Sequence, residues 1–147
     1  MPTTKHYPRL FTVQEANELL PVVKSLMERL LQRIDLLRGR SRVVVRRDGL
    51  DPDSSDFMQR LQQDEGVARI IKEMNELVDE IHDLGCICKG LEQGLVDFPC
   101  FFGDEIVFLC WRYGEESVSH WHRAEEGFAG RKPLLGPGKG GDRSSYH

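Results

Sequence analysis

The chain contains no apolar run of the roughly 18 residues that a membrane-spanning helix needs. Its first residues, Met1-Pro2-Thr3-Thr4-Lys5-His6-Tyr7-Pro8, lack the apolar core of a signal peptide. There is no phosphate loop, no Gly-rich dinucleotide fingerprint and no Gly-x-Ser-x-Gly elbow, so the sequence marks of nucleotide-binding proteins and serine hydrolases are missing. Positive charge is not in excess: the formal net charge is -4, which gives no ground for a nucleic-acid partner. Cysteine is sparse, and none of it stands in the paired Cys-x-x-Cys spacing of a strong zinc pattern. Cys86, Cys88, Cys100 and Cys110 lie among apolar neighbours, and with no export signal they read as free buried thiols of a cytoplasmic protein.

What is present is the composition of a globular domain. The 147 residues are 39% hydrophobic and 30% charged, enough to bury a core within one domain. That domain is expected over residues 1–134. From Pro133 onward the chain turns to Gly136-Pro137-Gly138-Lys139-Gly140-Gly141 and a polar end, so residues 135–147 are expected to be a disordered tail.

Two helices come first. Thr12-Val13-Gln14-Glu15 fits a capping box, in which the Thr12 hydroxyl and the Glu15 carboxylate each take up a free backbone amide. Ala16, Leu20, Val23, Met27, Leu30, Ile34 and Leu37 then recur at steps of four and three, an apolar seam over residues 13–38 in which Pro21 should produce a bend. Val67, Ile70, Met74, Leu77, Ile81 and Leu84 repeat the spacing, with Gly85 as C-cap. This second helix is expected to start near residue 55, with Gly66 as its weak point. Narrow seams on two helices predict an antiparallel hairpin, about residues 12–85. Its coiled-coil character makes a homodimer through the helices the expected partner arrangement. The connection carries Arg38, Arg40, Arg42, Arg46 and Arg47 with no acid between them. It reads as a solvated loop balanced by Asp48, Asp51, Asp53 and Asp56, with Val43-Val44-Val45 as a short strand or edge. It is also the one hint of a phosphate, RNA or acidic partner.

After Gly85 the period changes to that of strands. Ile87-Cys88-Lys89 is a short candidate. Leu95 to Phe102 is extended, and Pro99 within it marks an edge or a bulge. Gly103-Asp104 has the composition of a two-residue hairpin turn. Glu105 to Tyr113 is the strongest strand, and Val118 to His122 returns after Gly114-Glu115-Glu116. The result is a small antiparallel meander, about residues 86–123, packed on the helices: an α+β fold. Alternation puts Val107, Leu109, Trp111 and Tyr113 on one face and Ile106, Phe108, Cys110 and Arg112 on the other. If the last turn centres near Glu115, Cys110 lies across from His120 and diagonal to His122. Gly127 and Gly130 indicate a turn around Phe128.

The motifs resemble a small prokaryotic family known as domain of unknown function 2203. Phe11-Thr12, Glu15-Ala16-Asn17 and Leu19-Leu20-Pro21 are similar to its opening. Lys89, Gly94-Leu95-Val96-Asp97-Phe98-Pro99, Leu109-Cys110-Trp111-Arg112, Gly114-Glu115, Trp121-His122, Gly127-Phe128 and Gly130-Arg131 continue the match over residues 10 to 134. Cys86, Cys88, Cys100 and His120 stand outside the pattern. The resemblance implies no activity.

Three readings of the sheet residues remain open. In the first, Asp97, Trp111, Arg112, Glu115, Trp121, His122 and Arg131 form a ligand site, with Arg112 and Arg131 gripping a small carboxylate or phosphate against a tryptophan wall. In the second, Cys110, His120 and His122, with Glu115 as a further donor, hold zinc or another divalent transition metal. That metal would serve a binding protein or a metal- or Arg-assisted enzyme. In the third, the polar groups are buried pairs that hold the turns. Together these favour a non-catalytic ligand-binding or assembly module. A cysteine nucleophile at Cys110 served by His122 needs an exposed thiolate, which a position between Leu109 and Trp111 does not favour.

Overall fold

A computed structural model describes residues 7–134; the expected tail at 135–147 lies outside the described residues. Helix α1 spans Val13–Asp48. The capping box forms as the sequence indicates: the Glu15 amide donates to Thr12 Oγ1 (3.0 Å) and the Thr12 amide to Glu15 Oε1 (2.9 Å). Pro21 lies inside the helix without ending it.

Helix α1 does not stop near Leu37. The Arg38–Arg47 stretch, expected as a loop holding a Val43-Val44-Val45 strand, is the last third of the helix. It ends at Gly49, whose φ of 63° is left-handed backbone that glycine adopts without strain. The seam carries on through Val44, which is fully buried with Leu50, Leu61 and Val67 in a second apolar cluster. Burying a valine is worth about 1.5–3 kcal/mol, against a helix-propensity cost of about 0.5 kcal/mol. Packing therefore decides the conformation.

The second helical stretch is broken. A short helix α2 (Phe57–Leu61) is followed by α3 (Glu65–Asp83), and Asp64 between them caps α3 by accepting from the Val67 amide (3.1 Å). Arg40 Nε and Nη2 donate to the same carboxylate at 2.8 and 2.9 Å, and Arg47 reaches it at 3.2 Å. A side chain at Gly66 would stand 2.9 Å from Arg40 Nε, so glycine here leaves Arg40 its path to Asp64. Arg33–Glu73 and Arg40–Asp64 pair rising numbers on α1 with falling numbers on α3, which makes the hairpin antiparallel. No helix among the described residues is long and apolar enough to cross a membrane.

Five antiparallel strands follow in sequence order: β1 (Ile87–Gly90), β2 (Leu95–Phe102), β3 (Glu105–Arg112), β4 (His120–His122) and β5 (Lys132–Pro133). The fifth extends the expected meander. Strand β2 is not an edge. Pro99 lies beyond the reach of β1, which pairs only with residues 95–97, and its carbonyl takes the Phe11 amide instead (2.7 Å). The missing N–H of Pro99 therefore costs no ladder bond.

One face of the sheet carries Val96, Phe98, Cys100, Val107, Leu109, Trp111 and Trp121. It packs on Ala16, Leu20, Val23, Met27, Leu30 and Ile34 of α1 and on Leu77 and Ile81 of α3. The other face is turned away from the helices and holds the residues of interest below.

Candidate metal centre

The two-residue turn at Gly103-Asp104 sets the register of β2 on β3, pairing Phe102 with Glu105 and so Asp97 with Cys110. Strand β4 then pairs His120 with Cys110 and His122 with Phe108. Directly paired residues share a face. Asp97, Cys110 and His122 therefore converge on the side away from the helices, and each offers one ligand atom within 4.8 Å of the others. All three are sealed: relative exposure is 1% for Asp97, 1% for Cys110 and 2% for His122.

The hydrogen bonds define the state of the cluster. His122 Nδ1 lies 2.8 Å from the Arg123 carbonyl, an acceptor only, so Nδ1 carries a proton and donates. His122 Nε2 faces both Asp97 oxygens at 3.1 Å, and the pair shares one proton along that contact. Burial pushes the Asp97 carboxyl above its ordinary value, with His122, Lys89 and a hydrogen bond from Cys110 working against it. Burial also pushes the Cys110 thiol up to about 12, and the adjacent Asp97 adds to the shift while Arg131 opposes it. The phenyl ring of Phe108 stacks on the His122 imidazole, centroids 5.7 Å apart, and Tyr7 meets Phe108 edge-on.

This is not the arrangement of a nucleophilic triad, in which the imidazole stands between nucleophile and acid. Here Nδ1 is committed to a backbone carbonyl, and the nitrogen that would take a thiol proton is the one facing Asp97. A metal-ligating histidine is fixed in the same way, its far N–H on a carbonyl and its Nε2 turned toward the other donors. Zinc bonds of about 2.0–2.1 Å to N and O place tetrahedral ligand atoms about 3.3 Å apart, and Asp97 Oδ and His122 Nε2 stand at 3.1 Å. Carboxylate, thiolate and neutral imidazole together carry two negative charges, the amount that neutralises a divalent ion in a sealed site.

The remaining site residues distribute as follows. His120 is half-buried; its Nδ1 is 3.1 Å from Ser119 Oγ and 3.9 Å from Glu115. It is not in the donor cluster, where Asp97 stands instead. Glu115 accepts from the Arg112 amide (2.8 Å) and from both terminal nitrogens of Arg131. Burial works to raise the Glu115 carboxyl, but these donors outweigh it and hold the group below its ordinary value. Arg112 is exposed. Trp111 and Trp121 point to the helices, away from Arg112 and Arg131. Trp111 is fully buried, with Nε1 donating to the Glu115 carbonyl (2.9 Å). The aromatic ring that meets both arginines is Phe128, 4.4 Å from Arg131 and 5.9 Å from Arg112; no alternation marks it, because it comes from a turn rather than a strand. A cavity of about 380 Å³ lies elsewhere, at the far end of the hairpin. Arg40, Arg47 and Arg60 there face Asp48, Asp64 and Glu65 and balance them.

A family model described as Uncharacterized conserved protein (DUF2203) matches residues 9–134. No curated protein and no solved structure matches the chain.

Proposed function

Starting from a chain that belongs to this DUF2203 family, we propose that it is a non-catalytic binding protein for a divalent transition metal of the zinc type. The ion is held by the Asp97 carboxylate, the Cys110 thiolate and His122 Nε2. The observation that carries this reading is the convergence of three different donor types in a sealed spot whose histidine is already fixed for ligation. On binding, the thiol proton and the proton shared by Asp97 and His122 leave to solvent, and the buried site stays neutral. Burial of all three donors favours a binding or structural role over turnover, because no substrate reaches the ion without movement of the chain. Thiols at Cys86, Cys88 and Cys110 outside any disulfide accord with a reducing compartment such as the cytoplasm, where the thiolate stays available.

The test is elemental analysis of untagged protein together with cobalt substitution. The expected result is one metal per chain, and a cobalt–thiolate charge-transfer band absent from Cys110→Ser. Zinc added to metal-free protein should raise the melting temperature of the wild type and leave Asp97→Asn and His122→Gln where they were. A wild-type protein that holds no metal after zinc addition, with an unmoved melting temperature, overturns the proposal and leaves the Asp97–His122 pair as a buried contact that fixes the sheet.

A further inference from the structure

Asp97, Cys110 and His122 are sealed by the residues around them, so what covers them determines how the cluster is entered. Over Cys110 lies Arg131, its Nη1 4.0 Å from Sγ. Arg131 belongs to the crossing between β4 and β5, which begins with turns at Arg123–Gly127 and ends in the single turn Phe128–Gly130. Part of this segment is held by its own side chains. The Arg123 amide donates to Glu126, and Lys132 Nζ donates to Glu126 and to the Gly130 carbonyl. Its two ends are anchored: Leu134 N donates to the Ser119 carbonyl, and the exposed Arg123 meets Glu105. Between those ends, the ties to the sheet are the Arg131–Glu115 pair and the contact of Phe128 with Arg112 of β3. Both terminal nitrogens of Arg131 donate to the carboxylate, the guanidinium rests on Phe128, and Glu115 is pinned to the turn after β3 by the Arg112 amide.

The geometry points to a latch over Cys110: Arg131, which ends the crossing of residues 123–131 and lies against Sγ, is the bolt, Glu115 is the catch, and release of that pair opens the way to Cys110. For the metal this rests on the reading above; the closure itself does not. Arg131 and Glu115 are positioning residues here, since neither supplies a donor atom to the ion. Their pairing is partly buried, with 17% and 24% of the side chains exposed, so it is screened less than a surface pair and opens by local rather than global unfolding.

Two measurements separate the claims. In metal-free protein under native conditions, alkylation of each cysteine by N-ethylmaleimide is followed by peptide mass mapping. Glu115→Gln should speed labelling of Cys110 by about tenfold or more, while Cys86 and Cys100, on the helix side of the sheet, keep their rates. Arg131→Lys, which retains charge but loses the two-pronged grip, should fall between. In zinc-loaded protein, transfer of zinc to a chromophoric chelator should quicken in the same order with one zinc per chain retained. An unchanged Cys110 rate in Glu115→Gln, or a rise shared by all buried cysteines, overturns the latch. A wild type that binds no zinc removes the metal reading while the labelling still decides the latch.

Discussion

At Asp97 a carboxyl group is held out of water between an imidazole and a thiol. Such a group is tolerated only with its partners in place. Asp97→Ala in metal-free protein leaves His122 Nε2 without an acceptor or donor and is expected to cost about 1–3 kcal/mol in urea unfolding, with a smaller loss for Asp97→Asn, which keeps an oxygen for the contact. Equal losses for the two variants would mean that neither the volume nor the remaining oxygen of the side chain carries the contact. Much of this site is legible from the sequence. A two-residue turn at Gly103-Asp104 fixes which residue of β2 meets Cys110, and a single acid among the apolar residues of LVDFPCFF is a conspicuous choice. What the sequence leaves open is the third partner. Choosing between His120 and Asp97 needs side-chain direction as well as strand register, because His120 pairs with Cys110 yet turns toward Ser119 and Glu115.

The same contrast holds for elements. Both seams and the capping box can be read from spacing alone, because they follow from a period of 3.6 and one local hydrogen-bond pattern. The end of α1 cannot. Val43-Val44-Val45 has the local look of a strand, and only the distant Leu50, Leu61 and Val67 make it helical. Neighbouring valines then behave differently: Val44→Ala should destabilise the protein by about 2 kcal/mol, whereas Val43→Ala, half exposed at 52%, should stay within about 0.5 kcal/mol of wild type. Urea melts of the two variants check this, and comparable losses would mean that Val44 is not what anchors the end of the helix. The break at residues 62–64 is equally out of reach, since Asp64 starts α3 while serving arginines on α1.

Across the whole molecule, the helical hairpin is clasped at its far end by Asp64 and at its near end by the sheet. Hydrogen bonds from Arg40, the capped Val67 amide and Arg47 hold the Asp64 carboxyl well below the usual carboxylate range. A depressed folded-state value contributes stability that is present above the unfolded value and lost as pH falls through the folded one. The gap in melting temperature between wild type and Asp64→Asn, which keeps a capping oxygen, is therefore expected to hold steady from neutral pH to about pH 5. It should narrow only in more strongly acid solution. A gap that closes already between pH 7 and 5 would show that the clasp acts through some other group.

Chain order has a consequence for how the enclosed cluster comes into being. Asp97, Cys110 and His122 all leave the ribosome before Arg131 does, and the strands that neighbour one another in the sheet are consecutive in the chain. During that interval the nascent sheet presents three donors with nothing yet drawn across them. Under the proposed metal reading, the interval in which a cation is most easily admitted is built into the reading direction of the message, before Arg131 is drawn across Cys110.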